Sequence, residues 1–320
     1  EERTGIPVLG VVPYFYLDID EEDSLTERFR RKKNAGLVDI AVVRLPRISN
    51  FTDFAPLESL EEVSVRYITS PDQFGSPDAV LIPGSKNTIR DLLWMRQNGM
   101  EAKVLQFADR GGVVFGICGG YQMLGQEISD PDGTEQRGTV AGMGLLPVRT
   151  VFQQEKRRTR VEGNFLVLEG ALKELSGAPF AGYEIHMGKS TLAEGGRALA
   201  SISEETVQSG IPGDLIPGDG IPVDGVPVEG STGRAHPDGA CRGNVYGCYV
   251  HGIFDAPEAA GGFLSALLKK KGCGPSEIRA RDWKSYKEEQ YDRLADIIRQ
   301  NVDMDAVYRI IEKGNDAPCI

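Results

Sequence analysis

The residues from Gly112 to Gly125, Gly-Val-Val-Phe-Gly-Ile-Cys-Gly-Gly-Tyr-Gln-Met-Leu-Gly, have the types and spacing to do chemistry. An apolar strand runs into Cys118, two glycines follow, and helix-compatible residues begin, so the thiol occupies a strand-to-helix turn of the nucleophile-elbow kind. Gly116, Gly119 and Gly120 clear side chains from a bend where backbone must approach a substrate, and a helix start favours a thiolate. A lone cysteine among apolar residues is ordinarily a buried core thiol, but a core thiol has no need of glycines on both sides.

A thiolate attacking an amide builds negative charge on oxygen, which preorganised N–H donors must meet. One donor is the N–H of Gly119. The other source is the turn Ile82-Pro-Gly-Ser-Lys-Asn-Thr88, where Gly84 and Ser85 are the oxyanion candidates, the alternative being that Pro83-Gly84-Ser85 is only a turn. Both loops are expected at the carboxyl ends of parallel strands, where open α/β sheets bind ligands. The base must be His186, His236 or His251. His236 adjoins a Pro-rich insertion and is set aside. His251 follows the apolar run Val245 to Val250 and precedes Gly252-Ile-Phe-Asp255, which puts an imidazole at a sheet edge. By itself a strand-end histidine reads as structural; paired with the cysteine motif it becomes the general base that deprotonates Cys118 and later protonates the leaving ammonia.

These residues need a scaffold. Apolar runs Val38 to Leu45, Val63 to Thr69, Ala79 to Ile82 and Val113 to Ile117 predict the strands of a parallel α/β sheet. Residues 88 to 110 predict a helix, with Gly99 a place where it divides. After Gly144 the short runs Leu145 to Phe152, Asn164 to Leu168, Ile185 to Leu192 and Val245 to Phe254 read as antiparallel strands. Residues 210 to 229 form four Pro-containing pentads, each ending in an acid, and read as part of an exposed insertion at about 205–240. Near the C-terminus Asp303 or Asp305 can cap a helix carrying Val307, Ile310 and Ile311 on one face, with Gly314 ending it.

The 320 residues, 40% hydrophobic, suffice for one large core or two domains, and a net charge of −11 argues against nucleic acid or an anionic membrane as partner. Five irregularly spaced cysteines make no disulfide framework, so a reducing cytoplasm fits best. Two tempting motifs fail. In Gly182-Tyr-Glu-Ile-His-Met-Gly-Lys-Ser190 the glycine spacing is too long for a phosphate loop and Glu184 would repel phosphate. Cys241 and Cys248, near His236 and His251, lack zinc-finger spacing, so no metal is expected.

Gly116 to Gln122, Gly142-Met-Gly-Leu-Leu-Pro147, Gly182 to Gly188 and Tyr249 to Phe254 together resemble the class I glutamine amidotransferase domain of the cobyric acid synthase family. So does Val43-Arg-Leu-Pro-Arg-Ile-Ser-Asn-Phe-Thr-Asp-Phe54. The resemblance implies a flavodoxin-like α/β fold with a mixed, mainly parallel sheet and C-terminal helices. It carries Cys118 over as nucleophile and His251 as base, and suggests Gln122 as part of a glutamine pocket. Most class I relatives place a glutamate two residues after the histidine; here that residue is Ile253. Glu184 and Asp255 are the candidates to orient the imidazole instead.

The resemblance also implies that residues 1–22 end an N-terminal synthetase domain and linker, that 36–265 form the amidotransferase domain, and that 266–320 are helical. This chain would need no cofactor, while ATP and Mg would serve the synthetase domain, which activates corrinoid carboxylates for amidation. The rivals are a catalytically inert interaction module and another cysteine hydrolase of related fold.

Overall fold

The computed structural model describes residues 3, 5–15, 17, 36–204, 235–274 and 282–314. Before Cys118 the described chain forms β1 (Val38–Val43), β2 (Ile48–Ser49), β3 (Val63–Ile68), β4 (Ala79–Ile82), β5 (Gly84–Ser85) and β6 (Val113–Ile117). Every residue of β4 and β6 is buried, as in parallel strands covered on both faces, and this is why they read as unbroken apolar runs. A helical turn α1 (Ala55–Glu58) precedes β3. The helix expected over 88 to 110 is two, α2 (Thr88–Asn98) and α3 (Met100–Asp109), with Gly99 between them at φ 85, a left-handed conformation that glycine adopts freely. Asn87 caps α2 by accepting from the Arg90 N–H at 3.0 Å.

The elbow continues into α4 (Gly119–Leu124), and the chain then makes β7 (Glu127–Asp130), β8 (Gly138–Ala141), β9 (Val148–Phe165) and β10 (Pro179–Leu192). Next come β11 (Ala200–Glu204), β12 (His236–Asp238), β13 (Ala240–Arg242) and β14 (Val245–Cys248). The main sheet has the order β13-β14-β6-β4-β1-β3. The second sheet has the order β12-β11-β9-β7-β8, with β10 pairing antiparallel to β9. Expecting Val245 to Phe254 to be an antiparallel strand is corrected in part: β14 stops at Cys248 and runs parallel to β6, antiparallel only to the edge strand β13. Its four residues are all buried, and a short apolar run carries no period that reveals its partner. β9 is also longer than its apolar ends suggest, because the charged stretch between them keeps pairing with β10 on a largely solvated hairpin.

Phe115 on β6 ties the core together, with ring centroids 6.4 Å from Tyr246, 5.4 Å from Phe254 and 6.4 Å from Phe263. The last of these belongs to α5 (Pro257–Lys270). Residues 26–281 form one compact unit, and residues 1–25 with 282–320 form another. Within the second, Gly10 bridges Val302, and α6 (Trp283–Asn301) is followed by α7 (Met304–Gly314). Asp303 is the cap of α7, accepting from the Ala306 N–H at 3.0 Å, and Ile310 and Ile311 are more than half exposed. The pentads at 210–229 and the acidic run at 18–23 lie outside the described residues. Among the described residues no helix is long and apolar enough to cross a membrane.

Phe115 is fully buried, so Phe115→Ala is expected to destabilise the larger unit by about 3–5 kcal/mol. The drop would appear as a lower denaturant midpoint, and an unchanged midpoint would contradict this account of the core.

Candidate active site

β1, β4, β6 and β14 are parallel, so their carboxyl ends lie along one edge of the main sheet. Those four ends lead to the segment 44–54, to Gly84-Ser85, to Cys118 and to His251. Cys118 has φ 51 and ψ −108, and among the described non-glycine residues only Asn50 shares a positive φ. Such a conformation costs about 1–3 kcal/mol and is kept only where the surroundings over-determine it. Here a Cβ on Gly120 would lie 2.0 Å from the Ile82 carbonyl oxygen, and one on Gly116 would lie 2.7 Å from Gly120. The glycines thus let β4, β6 and α4 close around the bend. Cys241 and Cys248 are core thiols by contrast, and burial pushes both up from their ordinary range.

His251 is completely buried beside this bend. Its Nδ1 lies 2.7 Å from Asp53 Oδ2, and the other carboxylate oxygen of Asp53 accepts the Gly252 N–H at 2.9 Å. One buried carboxylate therefore grips both the ring and the backbone next to it. It holds the proton on Nδ1 and leaves Nε2 for the sulfur. Nε2 has no well-aligned hydrogen bond, yet Cys118 is near enough to act on it electrostatically. Burial alone would lower the pKa of His251, but the charge and hydrogen bond of Asp53, with those of Cys118, outweigh burial and raise it to about 10. Tyr183 stacks on the imidazole at 5.3 Å, and its hydroxyl accepts from the Asn50 amide.

Glu184 and Asp255 were the expected orienters, and the structure corrects this: the Nδ1 of His251 is taken by Asp53. Glu184 pairs instead with Arg157, at 2.9 Å, and with His186. Ile253, two residues after the histidine, is buried in the core. Asp53 sits 198 residues from the histidine, so nothing local in the sequence joins the two, although it lies inside the 43–54 segment that carries the family resemblance. Left-handed Asn50 turns the chain into a 3-10 helix over Phe51–Phe54, which presents Asp53 inward.

Gly84, Ser85 and Gly119 come together. A Cβ on Gly119 would meet the Ser85 backbone nitrogen at 3.0 Å, and one on Gly84 would meet His251 Cε1 at 3.1 Å. Pro83-Gly84-Ser85 is also more than a turn, since Gly84 and Ser85 pair with Ser49 and Ile48 as β5 and β2. The Ser85 hydroxyl donates to Asp91 at 2.7 Å, which braces the loop. Gln122 is buried, accepting from Thr88 at 3.2 Å and donating to the Tyr249 hydroxyl at 3.1 Å. The Cys118 sulfur faces the Ile185 carbonyl of β10 at 3.6 Å.

An elbow thiol, an imidazole and a carboxylate gathered at the carboxyl edge of a parallel sheet equip a thiol-dependent acyl-transfer enzyme. Residues 39–259 match the CobB/CobQ-like glutamine amidotransferase domain, and the chain belongs to that family. Curated relatives agree. A cobyric acid synthase of Ruminiclostridium cellulolyticum is 47% identical, covering 97% of this chain and 56% of its own length. Those of Lachnoclostridium phytofermentans and Clostridium acetobutylicum are 44% and 42% identical, each over 97% of this chain and 57% and 56% of their own. The chain thus spans about half the length of the curated relatives it matches. Among solved structures, a glutamine amidotransferase is 17% identical with a TM-score of 0.43, covering 73% of this chain and 98% of its own.

Because folding raises the His251 pKa from 6.5 to about 10, stability tied to its proton is complete below about pH 6.5 and is lost as pH rises through about 10. Asp53→Asn should flatten that dependence in denaturation curves taken across the window. It should also slow glutamine hydrolysis by about 100-fold or more, since an amide in that place no longer stabilises the imidazolium. A variant with the wild-type pH profile and rate would show that Asp53 does not hold the ring.

Proposed function

We propose that this chain hydrolyses glutamine through a cysteine thioester and supplies the ammonia for ATP-dependent amidation of corrinoid side-chain carboxylates. In this reading the acceptor is adenosylcobyrinic a,c-diamide, the product cobyric acid, and the setting cobalamin biosynthesis. One observation carries the proposal: Cys118 stands on a positive-φ elbow beside an imidazole whose Nδ1 is held 2.7 Å from a buried carboxylate.

His251, its pKa raised to about 10, already holds the thiol proton as an imidazolium, and the sulfur attacks the side-chain amide carbon of glutamine. Negative charge gathers on the amide oxygen, where the N–H groups of Ser85 and Gly119 receive it. Collapse of this adduct breaks the C–N bond, and His251 returns its proton to the leaving ammonia. A water molecule, deprotonated by His251, then attacks the thioester; glutamate departs and the thiol is restored. ATP, Mg and the corrinoid belong, in this reading, to the portion of the longer relatives that this chain does not match. The name cobyric acid synthase, borne by those relatives, supports the choice of acceptor.

Cys118 is 8% exposed, His251 is fully buried and the Ile185 carbonyl of β10 lies 3.6 Å from the sulfur, so little of the sulfur is open to glutamine. The chain by itself is therefore expected to turn glutamine over weakly, and more strongly with the ATP-dependent portion present. Rapid steady-state hydrolysis by the chain alone would contradict this coupling. The chemistry is tested by labelling with 6-diazo-5-oxonorleucine, a glutamine-like electrophile. Stoichiometric modification of Cys118 that glutamine blocks is the expected result. Absence of labelling points to an inert interaction module, and labelling that glutamine does not block points to another cysteine hydrolase.

A further inference from the structure

β2 and β5 form a two-stranded antiparallel pair in which Ile48 lies opposite Ser85. On the flank of that pair the Lys86 N–H donates to the Arg47 carbonyl at 2.8 Å. Ile48 and Ser85 therefore face each other without exchanging bonds, and the Ser85 N–H points away from β2. The elbow lies against this nitrogen: a Cβ added to Gly119 would be 3.0 Å from it.

The Ser85 hydroxyl is used in both directions. It donates to Asp91 Oδ2 at 2.7 Å and accepts the Asn87 N–H at 3.0 Å. Asp91 stands in the first turn of α2 and is fully buried. Its Oδ2 also accepts the Arg47 N–H at 3.1 Å, and its Oδ1 accepts from the Arg47 guanidinium at 3.1 Å. One carboxylate thus receives three donors from two segments, Ser85 on β5 and Arg47 at the entry to β2. A pair of strands two residues long has no core of its own, so its place depends on such ties. Hydrogen bonds to an ionised acceptor are the strong kind, and these three hold both strands to the helix.

We propose that Asp91 is a positioning residue of the reaction, fixing through Ser85 and Arg47 the backbone N–H that receives charge on the amide oxygen. This rests on the glutamine reading above and names what sets its oxyanion geometry. Two reactions of the same thiol then separate this role from a general support of the fold. Attack on an amide carbon builds an oxyanion, and a displaced donor loses much of its benefit there. Attack on iodoacetamide forms the C–S bond as iodide leaves a saturated carbon, and no oxyanion arises.

Ammonia release from glutamine and alkylation of Cys118 by iodoacetamide are measured on the 320-residue chain. Ser85→Ala removes the tether but keeps the backbone N–H, and Asp91→Asn keeps the shape but replaces one acceptor oxygen by a donor. Each should lower kcat about 10- to 100-fold, short of the roughly 100- to 1,000-fold that complete loss of an oxyanion donor costs, with KM changed by less than about threefold. The double variant should be no more than about threefold slower than the slower single one, because both changes cut one tether. Alkylation of Cys118 should keep the wild-type rate and pH profile in all three variants. An unchanged kcat overturns the role. So does a parallel loss of hydrolysis and alkylation, the mark of a generally loosened site, and so does a loss in the double variant equal to the product of the single losses. If Asp91→Asn does not fold, Ser85→Ala decides by the same two rates. If the wild-type chain is alkylated yet releases no ammonia from glutamine, the glutamine reading itself falls, and this role with it.

Discussion

The bend at Cys118 is the constraint to which the rest of the molecule answers. A cysteine at φ 51 and ψ −108 is unfavourable by itself and stays there because it is tied on both sides. Its N–H donates to the Cys248 carbonyl at 2.8 Å, and its own carbonyl accepts the Gln122 N–H at 3.0 Å, so strand and helix both hold it. Beneath it, Ile82 of β4 registers with Gly116 of β6, and Gly120 lies against the Ile82 carbonyl with no room for a side chain. The same parallel alignment that fixes the bend brings the ends of β1, β4 and β14 to it. Cys118, the Gly84-Ser85 loop and the imidazole are thus positioned by one sheet, and loops have only short distances to cover.

Charge in this buried region is handled by pairing, since water does not reach it. Asp53 and His251 are both almost wholly excluded from solvent, and each is what makes the other tolerable. A short way off, Asp238 and Glu184 are two buried carboxyls that repel. Burial, reinforced by the charge of Glu184, pushes Asp238 up to about 7, whereas Glu184 has Arg157 and His186 beside it and keeps its charge.

What could be read in advance follows a physical pattern. Cys118 with its glycines was legible because a strained turn imposes its demands on immediate neighbours in the chain. His251 was legible because only three histidines exist and one of them ends an apolar run. Asp53 was not, since nothing about an aspartate in a 3-10 turn marks it as the partner of a ring far along the chain. Asp255 is near the histidine along the chain and Glu184 is on a neighbouring strand, but closeness in sequence is not closeness in space. The direction of β14 escaped for a similar reason: four buried residues look the same whether the strand beside them runs up or down.

By itself the sequence determined the chemistry on offer, a thiol on a glycine-cleared elbow and an imidazole to activate it, together with an α/β core. Those are local matters, decided by which side chains a tight turn or a doubly covered strand will accept. Only the tertiary structure decided that Asp53 takes the imidazole, that β14 joins the parallel sheet, and that Glu184 pairs with Arg157. Hydrogen bonds and charges act over a few ångströms in space whatever the separation along the chain, and folding alone creates that proximity.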